Sequence, residues 1–130
     1  FDVYSVHLGI LGHQNRKQIS NLRKWVEEQS GRIPAVIGGD FNAEEDSPQM
    51  LAAKTSWNDS YRTKNPGGND YSHELLWPWG NVIRRSRLDY LFFRRGLRSW
   101  NVNEARHIDT ESCPLSDHRP VLVRASLSPV

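Results

Sequence analysis

Cysteine is almost absent from this 130-residue chain. Cys113 stands alone, so no disulfide can close within the chain and no multi-cysteine metal site can form. It reads as a small side chain beside Pro114. No apolar run approaches the ~20 residues that a membrane-spanning helix needs. Neither sign of charge dominates: 17 Lys and Arg against 15 Asp and Glu leave +2. That balance neither requires nor excludes a nucleic-acid partner, because clustering outweighs the total. Internal repeats and low-complexity tracts are missing, and 37% hydrophobic with 25% charged residues exclude a disordered chain. What remains is the composition of one domain over residues 1–130. It assigns no compartment. The chain opens at Phe1 inside what reads as a strand, so any leader would lie ahead of it.

Asp2 to Leu8, with Val3-Tyr4-Ser5-Val6 at its centre, has the β-rich composition of a strand. Ile19, Leu22, Trp25 and Val26 then recur at helical spacing over Asn15–Gln29, and Ser30-Gly31 stops the helix. Ala35-Val36-Ile37 is continuously apolar, the mark of a strand buried on both faces. Strand, helix and strand in succession predict a parallel βαβ unit with a right-handed crossover. His7 and Asp40 end its two strands and are therefore expected on one edge of the sheet, where open α/β sheets place ligands. Ser47 before Pro48 signals a short helix. Residues 57–85 carry turn formers and aromatics with little periodicity and read mainly as loop. Leu88–Phe93 and Trp100–His107 read as strands, and alternation of Val121, Val123, Ala125 and Leu127 predicts a last strand with one buried face.

Three segments carry chemistry. In Gly39-Asp40-Phe41-Asn42 a carboxylate and an amide stand two apart just past a buried strand. They either address one polar centre or close an Asx-type turn. In Arg87-Leu88-Asp89-Tyr90-Leu91-Phe92-Phe93 a carboxylate interrupts an apolar strand and demands a partner, either an arginine such as Arg87 or a histidine. In Ser116-Asp117-His118-Arg119-Pro120, His118 is the natural candidate, because a carboxylate fixes an imidazole's tautomer and stabilises its cation. Phosphoester hydrolysis needs an aligned water, a proton acceptor and positive charge on the developing oxyanion. Asp40, Asn42 and His118 suit the first two, and a hard divalent ion on carboxylates suits the third.

The order GDFN, RLDY and SDHRP, with Val6-His7-Leu8 upstream, resembles the endonuclease/exonuclease/phosphatase superfamily over essentially the whole chain. DNase I-like nucleases, abasic-site endonucleases, inositol polyphosphate phosphatases and neutral sphingomyelinases belong to that group. The resemblance implies an α/β sandwich of two sheets flanked by helices, of which this chain carries the C-terminal half. It implies a phosphodiesterase or phosphomonoesterase working by direct in-line water attack, with Mg²⁺, or Mn²⁺ in its place, as cofactor. Asp40 and Asn42 take the positions that orient water and phosphate. Asp89 pairs with His118, which either binds or protonates a phosphoryl oxygen or acts as general base. His7 matches a phosphate-contacting histidine, and Asp40 and Asp117 match metal-site positions. The family's N-terminal half, with a metal-binding Glu, is expected from a missing segment or another chain. Without it a sheet face would lie open, and the alternative is a non-catalytic phosphate- or partner-binding module or an inactive fragment.

Arg84, Arg85, Arg87, Arg94, Arg95 and Arg98 concentrate around the RLDY strand, beside Trp77 and Trp79. Arg87, Trp77 and Trp79 are the candidate substrate contacts, by charge and stacking. The bland alternative is a solvated basic face with tryptophans packed under a loop. By the family resemblance, residues 57–86 are where specificity resides, for nucleic acid or for a small or lipid phosphodiester. His73 lies there without an evident partner.

Overall fold

A computed structural model describes residues 1–113 and 115–129; Pro114, the neighbour of Cys113, lies outside the described residues. Strand β1 (Asp2–His7) leads into helix α1 (Gly12–Ser30) and strand β2 (Ala35–Asp40). β1 and β2 pair in parallel from Asp2↔Ala35 to His7↔Asp40, as the βαβ pattern predicts. Then follow α2 (Pro48–Lys54), β3 (Asn58–Asp59), α3 (Ser60–Lys64), the hairpin β4 (His73–Leu76) and β5 (Val82–Ser86), β6 (Asp89–Arg94), β7 (Trp100–His107) and β8 (Val121–Leu127). The central sheet runs β1-β2-β6-β3, with β6 antiparallel to both neighbours, while β4-β5 and β7-β8 form two separate two-stranded sheets. Among the described residues no helix is long and apolar enough to cross a membrane.

One face of the central sheet packs on the helices. Ile19 and Val26 of α1 and Met50 and Ala53 of α2 meet Ile37, Phe41, Trp57, Tyr90 and Phe92, all buried, with Tyr4 and Val6 at the margin. The opposite face is open at its edge strand, where Val3 is 67% exposed. Trp25, which the helical periodicity places in the apolar stripe, is half exposed and only edges Tyr4 at 5.4 Å.

α1 begins at Gly12, three residues before the expected start at Asn15. Asparagine is a favoured cap, but this one is buried, and its amide donates to the carbonyls of Gly9 and Phe41, both at 2.7 Å, while accepting from Gln49 at 3.0 Å. It bolts the helix to the GDFN segment. Ser47 does precede α2, yet its hydroxyl donates to Glu44 O at 2.7 Å rather than capping the helix. Residues 57–85 hold β3, α3, β4 and most of β5 rather than loop alone. Their strands are short, β3 only two residues long on the edge of the central sheet and β4–β5 a separate hairpin, so no alternation advertises them.

Gly39 explains the close approach of β1 and β2. Its φ is +140°, and a Cβ there would lie 1.9 Å from the Val6 carbonyl oxygen. Only glycine lets the β2 backbone pass this point and deliver Asp40 opposite His7.

Candidate active site

The register lines up three side chains across the sheet edge: His7 opposite Asp40, and Asp40 opposite Asp89. β1 and β2 end here and β6 begins here, so the row sits where the backbone leaves the sheet. Asp40 Oδ1 accepts from the Asn42 amide N–H at 2.8 Å, closing the Asx turn. Asp40 Oδ2 faces outward, 3.7 Å from His7 Nε2 and 3.8 Å from His118 Nε2. The turn and the polar centre thus coexist. Asn42 has φ +47°, a left-handed conformation that asparagine tolerates better than most residues. Its Nδ2 donates to Leu8 O at 2.7 Å, which leaves Oδ1 as the side chain's free acceptor.

Asp89 takes the histidine and not the arginine. His118 Nδ1 lies 2.6 Å from Asp89 Oδ2, and the side chains are 28% and 18% exposed. Burial pulls the His118 imidazole toward neutrality, but the Asp89 hydrogen bond and charge, with Asp40 and Asp117, outweigh it and raise its pKa above the usual histidine value. Ser72, fully buried, holds the start of this strand: its hydroxyl accepts from the amides of Leu88 (2.9 Å) and Asp89 (3.0 Å), and its carbonyl accepts from Arg119 N at 2.7 Å. It ties the β4 hairpin, the RLDY strand and the SDHRP segment into one junction. A lone serine in an aperiodic stretch carries no sequence signal for that role.

The expected metal pair is divided. Asp40 clusters with Asp89 and His118, whereas Asp117, 72% exposed, clusters with His73 and His118. His73 therefore has partners after all, across a β-bridge to His118.

The expected substrate contacts fare differently. Arg87 lies inside the protein, ion-paired with Asp59, 3.8 Å from Glu45, and sandwiched between the rings of Tyr61 (4.8 Å) and Tyr90 (4.5 Å). It braces β3, α3 and β6, and only the rim of its guanidinium borders a cleft. Arg84 pairs with Glu44, Arg85 with Glu74 and Arg94 with Glu27, so most of the basic concentration is neutralised locally. Trp77 and Trp79 lie in the turn between β4 and β5, 48% and 69% exposed, and stack on each other at 5.2 Å and 5°. Along the strand Trp77 stands roughly 13 Å from His73, four residues at ~3.3 Å each. The two tryptophan faces already meet, so they do not form an open clamp for a base.

A cleft of about 750 Å³ is lined by Glu44, Glu45, Lys54, Arg62, Arg85 and Arg87 among others. It contains none of His7, Asp40, Asp89 or His118. The chemistry of the row, rather than cavity size, marks the candidate site.

The fold is a mixed α/β arrangement of the DNase I-like class, with a histidine–carboxylate pair at the sheet edge. The chain matches the Endonuclease/Exonuclease/phosphatase family over residues 2–118 and belongs to it. Among solved structures it is similar to an endonuclease/exonuclease/phosphatase from Bacteroides vulgatus, with 22% identity and a TM-score of 0.70 over 97% of this chain and 48% of that one. It is similar to a mannosyl-6-phosphatase from Bacteroides thetaiotaomicron, with 20% identity and a TM-score of 0.67 over 95% and 50%. D. rerio TDP2, solved with a single-strand DNA product, gives 15% identity and a TM-score of 0.71 over 95% and 55%. The chain thus spans about half the length of the structures it matches. No curated protein matches it by sequence.

Proposed function

We propose that this chain carries the histidine-bearing half of a metal-dependent phosphoesterase that hydrolyses a phosphodiester or phosphomonoester by direct in-line attack of water. The observation that carries the reading is the 2.6 Å Asp89–His118 contact set beside Asp40. Asp89 holds Nδ1, so Nε2 is the ring nitrogen turned toward Asp40 and available to a phosphoryl oxygen. The neighbouring carboxylates favour the cation, which suits a donor to a developing oxyanion better than a general base. Asp40 accepts a proton from the attacking water and orients it, with Asn42 Oδ1 as a second acceptor. His7, exposed on the same row, contacts the phosphate.

The donor set fits a hard ion such as Mg²⁺, which keeps several waters and takes one or two carboxylates. Asp40, whose Oδ2 has no hydrogen bond among the described residues, is the residue that would hold it, and Asp117 is the more exposed second candidate. When bound, the ion would offset negative charge on the phosphoryl group. The open sheet face around Val3 is where a second sheet would pack, so the activity is assigned to the completed sandwich. The named relatives act on a sugar phosphate in one case and bind DNA in another, which leaves the ester class to experiment.

The test is hydrolysis of bis-p-nitrophenyl phosphate and p-nitrophenyl phosphate by the protein, with and without Mg²⁺. Asp40→Ala and His118→Ala are each expected to lower turnover about 10²–10⁴-fold, the usual range for one acid–base group. Turnover unchanged in either variant would sink the assignment.

A further inference from the structure

Beside the row, and not used by the proposed hydrolysis, stands His73. One ligand atom from each of His73, Asp117 and His118 lies within 4.8 Å of the others. We infer that these three side chains form a second cation site, selective for a borderline transition ion of the Zn²⁺ class and separate from the carboxylate at Asp40.

Four observations support it. His73 Nε2 and Asp117 Oδ2 are 3.5 Å apart. Two ligands at 2.0–2.1 Å from a tetrahedral ion stand about 3.3–3.4 Å apart, so this pair needs little movement. Second, the backbone sets the three in place: His73 and His118 face each other across an antiparallel bridge, with ring centroids 4.7 Å apart. Hydrogen bonds from Arg119 N to Ser72 O (2.7 Å) and Glu74 N to Asp117 O (3.4 Å) flank that bridge. Third, Asp89 on Nδ1 leaves Nε2 of His118 as the nitrogen that can exchange its proton for an ion, the carboxylate–histidine–metal arrangement that orients and strengthens an imidazole ligand. Fourth, exposure is graded: the two histidines are 20% and 28% exposed, while Asp117 at 72% opens to solvent as the route of entry. Two imidazoles and one carboxylate favour Zn²⁺, Co²⁺ or Cu²⁺ over Mg²⁺, which prefers oxygen.

The consequence rests on the phosphoesterase reading. Nε2 of His118 would bind either the ion or a phosphoryl oxygen, so occupation of this site shuts down hydrolysis.

The experiment has two arms. In the first, the protein is titrated with Co²⁺ and then Zn²⁺ in excess Mg²⁺, following the visible absorption of low-coordinate Co²⁺ and the heat of Zn²⁺ binding. One site is expected. His73→Phe, which keeps a ring against His118, and His73→Gln, which keeps the backbone bridge, should each weaken binding at least ~10-fold, with circular dichroism unchanged. Asp89→Asn should weaken it about 10–100-fold, the usual effect of losing an outer-shell carboxylate. No low-coordinate Co²⁺ signal, or His73 variants that bind as tightly as the parent, would overturn the site and leave a plain His73–Asp117 ion pair. In the second arm, Zn²⁺ should inhibit Mg²⁺-dependent hydrolysis by the parent and at least ~10-fold less potently in His73→Phe. Equal inhibition of both overturns the inhibitory role. A completed sandwich, this chain joined to its N-terminal half, that is inactive while still showing the Co²⁺ site refutes the phosphoesterase reading alone.

Discussion

Replacing Arg87 with methionine separates two roles for one residue. As a substrate contact, Arg87 would alter KM and leave stability alone. The structure assigns it to the interior, 7% exposed, against Asp59 at 6%. Removing one partner of a buried ion pair costs about 3–5 kcal/mol, because the other charge is left without compensation. Here Lys54 lies 3.6 Å from Asp59 and offsets part of that loss, which brings the expected cost to about 3 kcal/mol. A 130-residue chain falls between the size classes that lose 4–8 °C and 2–4 °C per kcal/mol. The melting temperature should therefore drop by about 12 °C. Urea denaturation of Arg87→Met, Asp59→Asn and the double variant closes a cycle. Asparagine is chosen because Asp59 also caps α3, accepting from Arg62 N at 3.5 Å, and asparagine retains a cap. The double variant should lose less than the sum of the two single ones by about 1–3 kcal/mol. A single variant as stable as the parent, with KM raised tenfold, would refute the structural role and restore Arg87 to the substrate.

Two further perturbations probe the frame around the site. Arg62, first, and then Lys54 and Arg87 hold the Glu45 carboxyl at about 2 against the opposing effect of burial. Its folded pKa lies below the ordinary 4.5, so its contribution is complete above 4.5 and is lost as pH falls from there toward about 2. Arg62→Ala should flatten that part of the stability–pH curve measured by urea unfolding, and an unchanged curve would show that the pairing is not ionic. Gly39→Ala should cost at least about 3 kcal/mol, since a Cβ 1.9 Å from Val6 O must force β1 and β2 apart and φ +140° adds strain. Gly67→Ala, where a Cβ meets nothing within 4 Å, is the control. Equal stability of the two variants would mean the strands do not approach as described.

The parts legible in the sequence are those with a periodic or spaced signal. The βαβ unit was readable because one apolar run and one helical stripe have different periods, and it places His7 opposite Asp40 by topology alone. Asp89 was legible as a carboxylate that an apolar strand could not tolerate unpartnered, and its partner is indeed His118. The depth of Arg87, 7% exposed, was not legible because sequence reports charge but not burial. Two tyrosine faces and two carboxylates from distant segments are what make the interior tolerate it. Asn15 and Ser72 were missed for the converse reason, since all but one of their side-chain hydrogen-bond partners lie 16 or more residues away and no local pattern records them. The β4–β5 hairpin escaped because only its base is tied to the rest of the site.

His73 begins β4 and bridges to His118, whereas Trp77 and Trp79 occupy the turn at the hairpin's other end. Ser72, one residue before the hairpin, fixes the amide of Asp89. The exposed turn is thus joined to a short two-stranded ribbon whose base contacts both members of the Asp89–His118 pair. His7 and Asp40 are anchored independently of the hairpin, through Asn15 to Phe41 and through the β1–β2 register. The aperiodic stretch can thus vary its tip residues without moving Asp40, but a change at Ser72 or His73 reaches the histidine directly.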